Sequence, residues 1–583
     1  MGESVCDDPF EWAAREPGRA MFAVPDGETW RQVTAAEFAG RVGSIAAGLI
    51  AAGVAPGDRV GLLAAVSLDW LACDFAIWAA GAVTVPVHET SSVEQIRWEL
   101  TDSGAVGVFA GSARLADAVR RAQLPRAEMI WPMDGGGLDE LAAAGRGVPA
   151  AETGRRRAAL TAGTVATIVY TSGTTGQPKG CVISHGNLAE AVRAITSVQG
   201  IRERVLAGDA STLFFLPLSH ILARVVALCL VHEGKLAGYL PSPGRLARAL
   251  PVFRPTILLV VPRVLEKVVA AARQQAADTG HERLFAAAEA AAIAYSQASE
   301  RSGGPGTWLR LRRAAFGRLV YRRLGAALGG RMAWVISGGA PLSENLGHFL
   351  RGAGVVVMEG WGLTETIGPA TMNLPGRQRM GSVGLPLPGC AVRIAADGEI
   401  EAQGPTVFQG YWGNPAATAA AFDGRWLRTG DLGRIDDDGF VFVTGRKKDL
   451  IVTAGGKNVA PAPLEDRVRE HWLVEECVVV GDRRPYIAAL VTLDSDAFTR
   501  WKQRAGKPPD ATVAELRDDP SLRAVIGEAI DRANTPVSPA ESIRRFAILP
   551  GPFEIGAELT PMQKVRRDYV LAKYAADIDA LYA

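Results

Sequence analysis

The amino-acid sequence predicts an α/β protein with more than one domain. Residues 34–125 alternate between helical periodicity, at 38–52 and 68–81, and strand-like runs, at 59–63 and 82–87. Such alternation predicts parallel sheets covered by helices. At 583 residues the chain is also too long for one hydrophobic core, so at least two domains are expected.

The composition is that of a globular protein and excludes several functional classes. Lys and Arg number 63 against 62 Asp and Glu, so nucleic acid is not expected as the main partner. The N-terminus lacks the apolar region of a signal peptide, and the apolar run at 221–231 is short and interrupted by Arg224, so no transmembrane segment is expected. The six cysteines are scattered without a Cys-x-x-Cys pair, which argues against a disulfide framework or structural zinc and favours a reducing cytoplasm.

A loop rich in glycine and hydroxyl side chains lies between two predicted strands, 164–170 and 180–183, and Ser184 is predicted to cap the helix that follows. Backbone amides and hydroxyls of such a loop can surround phosphate oxygens, and Lys179 adds a positive charge. The spacing is neither the Walker pattern nor a dinucleotide fingerprint. A flexible surface turn is the alternative.

This loop resembles the phosphate loop of the adenylate-forming superfamily, which includes acyl-CoA synthetases, luciferases and peptide-synthetase adenylation domains. The family's loop holds the β- and γ-phosphates of ATP. The resemblance therefore implies that ATP is bound by Thr171, Ser172, Gly173, Thr174, Thr175, Gly176 and Lys179.

Two later strand-and-turn segments, at 335–342 and 355–365, match further motifs of the family. Ligands bind at the strand ends of open α/β sheets. The resemblance implies that Trp361 stacks on adenine, where tyrosine is usual, that Thr364 bonds the α-phosphate and that Glu365 holds Mg²⁺. The remaining nucleotide-binding residues implied here are Gly339, Ala340, Pro341, Glu359, Gly360 and Gly362. A helix N-cap is the alternative role for Thr364 and Glu365.

The C-terminal third of the chain carries the family's remaining motifs. By resemblance, Asp431 binds the ribose hydroxyls and Arg446 contacts the ribose. Lys448 is the inter-domain hinge, and Lys564 is the C-terminal catalytic lysine, preceded by Gln563 where most relatives have glycine. The glycine loop at Gly455 and Gly456 is implied to approach the CoA tunnel.

The acyl pocket is assigned to the segment around residue 220, by resemblance. The implied wall residues are His220, Ile221, Val225 and Gly338, with His220 excluded from proton transfer. The segment lacks the aspartate that holds an amino acid's amine, which disfavours an amino acid substrate.

Residues 262–331 are predicted to form an almost wholly helical insertion, with apolar residues on one face and arginines roughly opposite. We interpret this as an ordinary helix with a solvated basic face. A peripheral role at a membrane surface is the alternative.

The motifs occur in the family's order over nearly the whole chain. The chain looks most like bacterial long-chain fatty acid–CoA ligases in three segments, namely residues 381–389, residues 444–459 and the helical insertion. The resemblance implies a large N-terminal α/β domain, residues 1–447, and a small mobile α+β domain, residues 448–583. It implies activation of a long-chain fatty acid by ATP and Mg²⁺, followed by transfer to coenzyme A, with Lys564, Thr364, Glu365 and Lys179 as catalytic residues. Two alternatives remain: a carrier protein as acceptor, and a shorter or aryl acid as substrate.

Overall fold

A computed structural model describes residues 4–127, 129–171, 177–560 and 563–583. The strands in these residues are β1 (Ala20–Asp26), β2 (Thr29–Thr34), β3 (Arg59–Leu63), β4 (Val83–Val87), β5 (Gly107–Ala110), β6 (Met129–Pro132), β7 (Val165–Thr171), β8 (Lys179–Ser184), β9 (Ser211–Phe214), β10 (Leu236–Tyr239), β11 (Ile257–Val260), β12 (Trp334–Ser337), β13 (Val356–Trp361), β14 (Thr371–Met372), β15 (Leu385–Pro386), β16 (Ala391–Ile394), β17 (Glu399–Gln403), β18 (Gly410–Tyr411), β19 (Phe422–Asp423), β20 (Trp426–Ile435), β21 (Val441–Arg446), β22 (Ile451–Val452), β23 (Asn458–Val459), β24 (Val474–Val480), β25 (Ile487–Leu493) and β26 (Ile543–Ile548).

The α-helices are α1 (Asp8–Arg15), α2 (Ala35–Ala51), α3 (Leu68–Ala79), α4 (Val93–Asp102), α5 (Ala113–Ala122), α6 (Gly137–Ala144), α7 (Ala150–Ala158), α8 (His185–Thr196), α9 (Ile221–His232), α10 (Leu246–Phe253), α11 (Pro262–Asp278), α12 (Glu282–Ser299), α13 (Thr307–Phe316), α14 (Arg322–Ala327), α15 (Glu344–Ala353), α16 (Pro415–Ala420), α17 (Ala462–Arg469), α18 (Ser495–Arg504), α19 (Val513–Leu516), α20 (Pro520–Asn534), α21 (Arg567–Lys573) and α22 (Ala575–Ala580).

Two mostly parallel sheets form the body of the large domain. One has the strand order β18-β8-β7-β4-β3-β5-β6, and the other has the order β15-β14-β13-β12-β11-β9-β10-β1-β2. The predicted α/β class is confirmed, because β3 pairs in parallel with both β4 and β5, and β11 pairs in parallel with both β9 and β12. Helix α3 is buried along almost its whole length.

A third, antiparallel sheet of β16, β17, β19, β20 and β21 follows in the chain, and the small domain has its own sheet in the order β24-β25-β26. The apolar core reflects this division. One cluster of buried side chains is drawn from residues 5–390, and separate clusters lie within residues 451–548 and 478–581.

Residues 132–163, which are rich in Gly, Ala and Arg, contain helices α6 and α7. Leu138 and Leu141 of α6 are buried, and α6 packs against α2. Arg156 of α7 donates to the carbonyl oxygens of Val54 and Ala80. A Gly/Ala-rich segment can form a helix when a neighbouring element covers its few leucines.

Candidate active site

The strands that flank the predicted phosphate loop form an antiparallel hairpin in which Thr171 of β7 lies opposite Lys179 of β8. Ser184 caps helix α8 in a capping box with Asn187, as predicted. Helix α4 holds both sides of the hairpin. The Trp98 indole N–H donates to the Pro178 carbonyl oxygen at 2.9 Å, and the Tyr170 hydroxyl donates to Asp102 at 2.5 Å. The central loop residues lie outside the described residues: Ser172, Gly173, Thr174, Thr175 and Gly176.

Glu365 and Lys179 share one neighbour, Tyr411. The Tyr411 hydroxyl donates to Glu365 Oε1 at 2.9 Å, and Lys179 Nζ lies 5.1 Å from the centre of the Tyr411 ring. Strand β18 brings the tyrosine here by pairing with β8, with Tyr411 opposite Cys181. Sequence analysis missed Tyr411, although the Gly410-Tyr411 pair before a turn was a usable signal.

The adenine turn predicted at Gly339, Ala340 and Pro341 follows strand β12, and Gly339 has a positive φ of 85°. Beside it, Glu359 accepts a hydrogen bond from the Leu342 backbone N–H at 3.0 Å. Burial raises the pKa of Glu359 to about 8, so its carboxyl group is largely protonated at neutral pH. A protonated carboxyl can both accept from the turn and donate to a ligand.

Asp431 is held between two predicted site residues. Trp361 donates its indole N–H to Asp431 Oδ2 at 2.8 Å, and Arg446 Nε lies 2.8 Å from Oδ1. Asp431 and Arg446 are directly opposite on the antiparallel strands β20 and β21. Trp361 therefore orients this carboxylate in addition to presenting a flat ring, and Gly360 and Gly362 flank it.

Thr364 and Glu365 lie in a turn, where the Ile367 N–H donates to the Thr364 carbonyl oxygen at 3.0 Å. The helix N-cap alternative is therefore wrong. Gly362 cannot carry a side chain, because a Cβ atom would lie 1.9 Å from the Gly368 carbonyl oxygen.

Lys564 of the small domain reaches this part of the large domain. Its backbone N–H donates to Thr560 Oγ1, and the preceding Gln563 has a φ of +58°, the left-handed region that favours glycine. Lys564 is exposed and lies near Arg446 and Asp431, in the cleft between the small and the large domain. The surrounding protein lowers the pKa of Lys564, Arg446 lowers it further, and nearby Asp431 opposes both effects.

Helix α9 begins at the predicted acyl pocket. His220 is its N-cap, with Nδ1 accepting from the Leu222 N–H, and burial lowers the pKa of His220 to about 4. Ile221 and Val225 are buried. The Leu222 side chain lies so close to Gly338 that a Cβ atom there would be 2.9 Å from it, which brings the helix to the adenine turn.

The predicted hinge and CoA-loop residues lie apart from these groups. Lys448 is exposed in a 3-10 turn after β21, and its neighbour Lys447 is tied to Asp397 and Glu399 of the large domain. Gly455 and Gly456 form the exposed turn between β22 and β23.

The family model described as AMP-binding enzyme matches residues 10–412, and the model of the AMP-binding enzyme C-terminal domain matches residues 448–583. The chain belongs to the AMP-binding enzyme family.

Within this AMP-binding family, the chain is 47% identical over its full length to the long-chain-fatty-acid–CoA ligase FadD15 of Mycobacterium tuberculosis, of which the match covers 97%. It is 29% identical to the human long-chain-fatty-acid–CoA ligase ACSBG1, over 95% of this chain and 82% of the relative. Among solved structures, it resembles the anthranilate CoA ligase AuaEII in complex with anthranoyl-AMP, with a TM-score of 0.72, 21% identity and coverage of 99% and 98%. This structural similarity shows that the chain has the same fold as that ligase.

Proposed function

We propose that this AMP-binding enzyme activates a long-chain fatty acid with ATP, giving acyl-AMP and pyrophosphate, and then transfers the acyl group to coenzyme A, releasing AMP. The observation that carries the proposal is the position of Lys564 beside the Asp431–Arg446 pair. This position supports the proposal, because a lysine of the small domain lies next to the carboxylate that we assign to the ribose, in a chain that matches a long-chain-fatty-acid–CoA ligase over its full length.

In the first step, a carboxylate oxygen attacks the α-phosphorus of ATP, and the bond from that phosphorus to the pyrophosphate oxygen breaks. Negative charge grows between carboxylate and phosphate, so cations and aimed donors lower the barrier. Lys564 and Thr364 supply them at the α-phosphate, and Lys179 with the phosphate loop supplies them at the leaving pyrophosphate. Asp431 and Arg446 hold the ribose, and Glu359 supports the adenine turn.

Glu365 is the proposed ligand for Mg²⁺. No cluster of three or more His, Cys, Asp or Glu side chains suited to a metal occurs among the described residues. A single carboxylate fits Mg²⁺, which usually binds one or two carboxylates together with substrate phosphates and water. Tyr411 orients the Glu365 carboxylate by donating to Oε1. The ion would neutralise charge on the phosphates.

In the second step, the CoA sulfur attacks the acyl carbonyl carbon, and the bond to the AMP oxygen breaks. We propose that the small domain first rotates about Lys448, with the domain boundary at residues 447/448. This withdraws Lys564 and brings Gly455 and Gly456 to the pantetheine. The exposure of the glycine turn while Lys564 occupies the cleft supports an adenylation arrangement in the present structure.

Chain length tests the substrate assignment. Helix α9 is apolar along almost its whole length, and its buried Arg224 is neutralised by Asp74 of α3, so it offers no free charge to a short polar acid. Each buried methylene adds about 0.8 kcal/mol. We expect kcat/KM to rise from acetate to stearate, measured below micelle-forming concentrations. A maximum at acetate or propionate, or faster turnover of benzoate, would discard the long-chain substrate and keep the adenylation chemistry.

The acceptor needs its own experiment. Acyl-AMP is formed on the enzyme and then incubated with either CoA or a phosphopantetheinylated carrier protein, and the thioester produced is quantified. We expect CoA to react and the carrier protein not to react. The reverse result would make the enzyme a carrier-protein ligase.

We also propose a cytoplasmic enzyme that contacts membranes peripherally. No helix in the described parts of the chain is long and apolar enough to cross a bilayer. The outer side of α13 and the turn after it instead exposes large apolar side chains: Trp308 is 69% exposed, Leu311 65% and Leu319 53%. Their spacing of three and eight residues places them along one stripe of the helical surface.

The surroundings of this apolar stripe are basic. Residues 301–331 contain eight arginines and no acidic residue, although the whole chain carries a net charge of only +1. Arg310, Arg318 and Arg322 are exposed. Positive charge around protruding tryptophan and leucine matches an anionic lipid surface, whereas a second copy of the same face would bring like charges together.

Vesicle binding tests this face. We expect co-sedimentation with phosphatidylglycerol-containing vesicles and not with pure phosphatidylcholine, weakened in a Trp308→Ser/Leu311→Ser/Leu319→Ser variant. Ile555→Ser, which removes an apolar side chain of the small domain that is as exposed as Leu319, is the control. Equal binding by both variants, or preference for single-stranded RNA over vesicles, would overturn the proposal.

A further inference from the structure

His88 lies at the same sheet edge as Thr171, the first residue of the predicted phosphate loop. It follows strand β4 directly, and β4 pairs in parallel with β7 such that Thr84 lies opposite Thr167. His88 and Thr171 are each four residues further along, so both come at the carboxyl ends of neighbouring strands. This is the edge where ligands bind in open α/β sheets.

The hydrogen bonds of His88 determine which ring nitrogen carries the proton. Its Nδ1 accepts the backbone N–H of Thr90 at 3.1 Å and lies 2.9 Å from Thr90 Oγ1. A backbone N–H can only donate, so Nδ1 is the acceptor and the neutral ring carries its proton on Nε2. Burial lowers the pKa of His88 to about 4, so the ring is neutral under physiological conditions.

The resulting N–H donor has no protein partner in the described chain. His88 Nε2 is buried, and no hydrogen bond to it is formed there. Buried polar atoms are rarely left without a partner, and one that is calls for an explanation, such as a catalytic role or a bound water or ion.

The neighbours of His88 are groups of the acyl-transfer site. His88 and Lys564 each lower the pKa of His220, so each of them lies near the His220 ring. His220 also accepts a backbone N–H at Nδ1, from Leu222 at 3.4 Å, and therefore carries its own proton on Nε2. Two neutral imidazole donors thus accompany the catalytic lysine.

We propose that His88 is a substrate-binding residue whose Nε2–H donates to the non-attacking oxygen of the acyl carboxylate. The inference rests on the proposed function for the identity of that carboxylate. The phosphates of ATP are assigned to Lys179, Thr364 and the phosphate loop, whereas His88 accompanies His220 of the acyl pocket.

A neutral donor suits this position. A cation bound to the carboxylate would reduce the nucleophilicity of its attacking oxygen, whereas an N–H orients the group and leaves its charge available. The oxygen that His88 holds becomes the carbonyl oxygen of acyl-AMP. When the CoA sulfur attacks, negative charge develops on that same oxygen, and a donor already in place stabilises it. The proton remains on Nε2 throughout, and both half-reactions use the contact.

Three variants separate this role from a structural one. His88→Phe keeps a flat ring and removes the donor, while His88→Gln replaces it with an amide N–H. His471→Phe is the matched control, because His471 of the small domain also accepts a backbone N–H at Nδ1 and has a pKa lowered by burial to about 4. Acyl-AMP formation and thioester formation from supplied acyl-AMP are measured separately, with KM values for ATP and for the acid.

We expect His88→Phe to lose about 10²-fold in kcat/KM for the acid in acyl-AMP formation and about 10²-fold in the rate of thioester formation from supplied acyl-AMP, the scale of one preorganised donor, with KM for ATP changed less than about twofold. His88→Gln should recover most of the loss, and His471→Phe should resemble the wild type.

A rise mainly in KM for ATP would assign the donor to a phosphate and overturn the proposal. If His88→Phe loses activity and a folded His88→Gln does not regain it, the role of His88 is structural. The same conclusion follows if His88→Phe and His471→Phe have equal activities. Wild-type turnover of fatty acids reports on the proposed function independently of these ratios.

Discussion

Arg263 at the start of α11 forms an ion pair with Glu476 on strand β24 of the small domain. Both side chains are largely buried, and Arg469 of the small domain approaches Glu476 from another side, at 3.7 Å. The pair joins the helical insertion of the large domain to the domain that carries Lys564. It therefore stabilises the arrangement in which Lys564 occupies the cleft.

Replacing Arg263 with Met should slow acyl-AMP formation at least tenfold and leave thioester formation from supplied acyl-AMP unchanged or faster. Removing one member of a buried pair typically costs about 3–5 kcal/mol, and about 1.4 kcal/mol already shifts a population tenfold. Arg273→Met is the control, since Arg273 pairs with Glu289 within the insertion. An equal decrease in the rates of both half-reactions would show that the ion pair does not favour one orientation of the small domain over another.

Lys564→Ala should lose about 10²-fold or more in acyl-AMP formation, because it removes a preorganised cation from the developing charge. Thioester formation from supplied acyl-AMP should survive. The two half-reactions are measured by pyrophosphate release and by thioester yield. Equal damage to both would contradict a role confined to adenylation.

Lys448→Pro should impair the thioester step more than adenylation, because proline fixes φ and removes the backbone N–H at the proposed pivot. Lys447, one residue before the proposed pivot, forms ion pairs with Asp397 and Glu399 of the large domain. Single-turnover measurements of each step check this. If adenylation falls first, the pivot lies elsewhere.

Arg224 and Asp74 form a fully buried pair, in which Arg224 Nε donates to Asp74 Oδ2 at 2.8 Å, and Arg224 Nη1 donates to Thr167 Oγ1. Arg224→Met should destabilise the protein by about 3–5 kcal/mol, because Asp74 is left charged and unpaired in the core. Arg224→Met/Asp74→Leu should recover much of this loss. Thermal unfolding of the three proteins measures it, and a double variant no more stable than the single one would rule out the charge as the cause.

Glu359 should make the stability of the protein depend on pH. The folded protein retains the proton up to about pH 8, whereas the unfolded chain releases it near pH 4.5. The stabilisation is therefore complete below pH 4.5 and is lost as pH rises toward 8, with a slope of at most about 1.4 kcal/mol per unit. Glu359→Gln keeps an acceptor for the Leu342 N–H and should remove this slope. Thermal melts between pH 5 and 8.5 compare the variant with the wild type; identical profiles would contradict the assignment.

Local sequence patterns were sufficient to predict the strands and helices that carry the motifs. Strand β7, the return strand β8 and the Ser184 cap were all predictable, because β-branched runs and capping residues act over a few neighbours. The helical insertion was predictable from its periodicity. The contacts of Arg224 with Asp74 and of Arg263 with Glu476 were not, since each joins residues more than 100 positions apart and depends on how whole elements pack.

The same reason explains the missed site residues. His88 has no local signature of function, and Tyr411 has only the glycine before it and the turn after it; each reaches the site because a strand places it there. Trp361 was predicted as a flat surface for adenine, but its hydrogen bond to Asp431 required the register of β20.

The left-handed backbone at Gln563 has a consequence for engineering the enzyme. A residue with a Cβ atom is disfavoured there by about 1–2 kcal/mol, and asparagine, aspartate and glycine tolerate this geometry best. A saturation library at this codon, selected for growth on the acid, would consequently be enriched in those three residues. Position 563 also offers a means to alter how stiffly the lysine is presented without replacing the lysine itself.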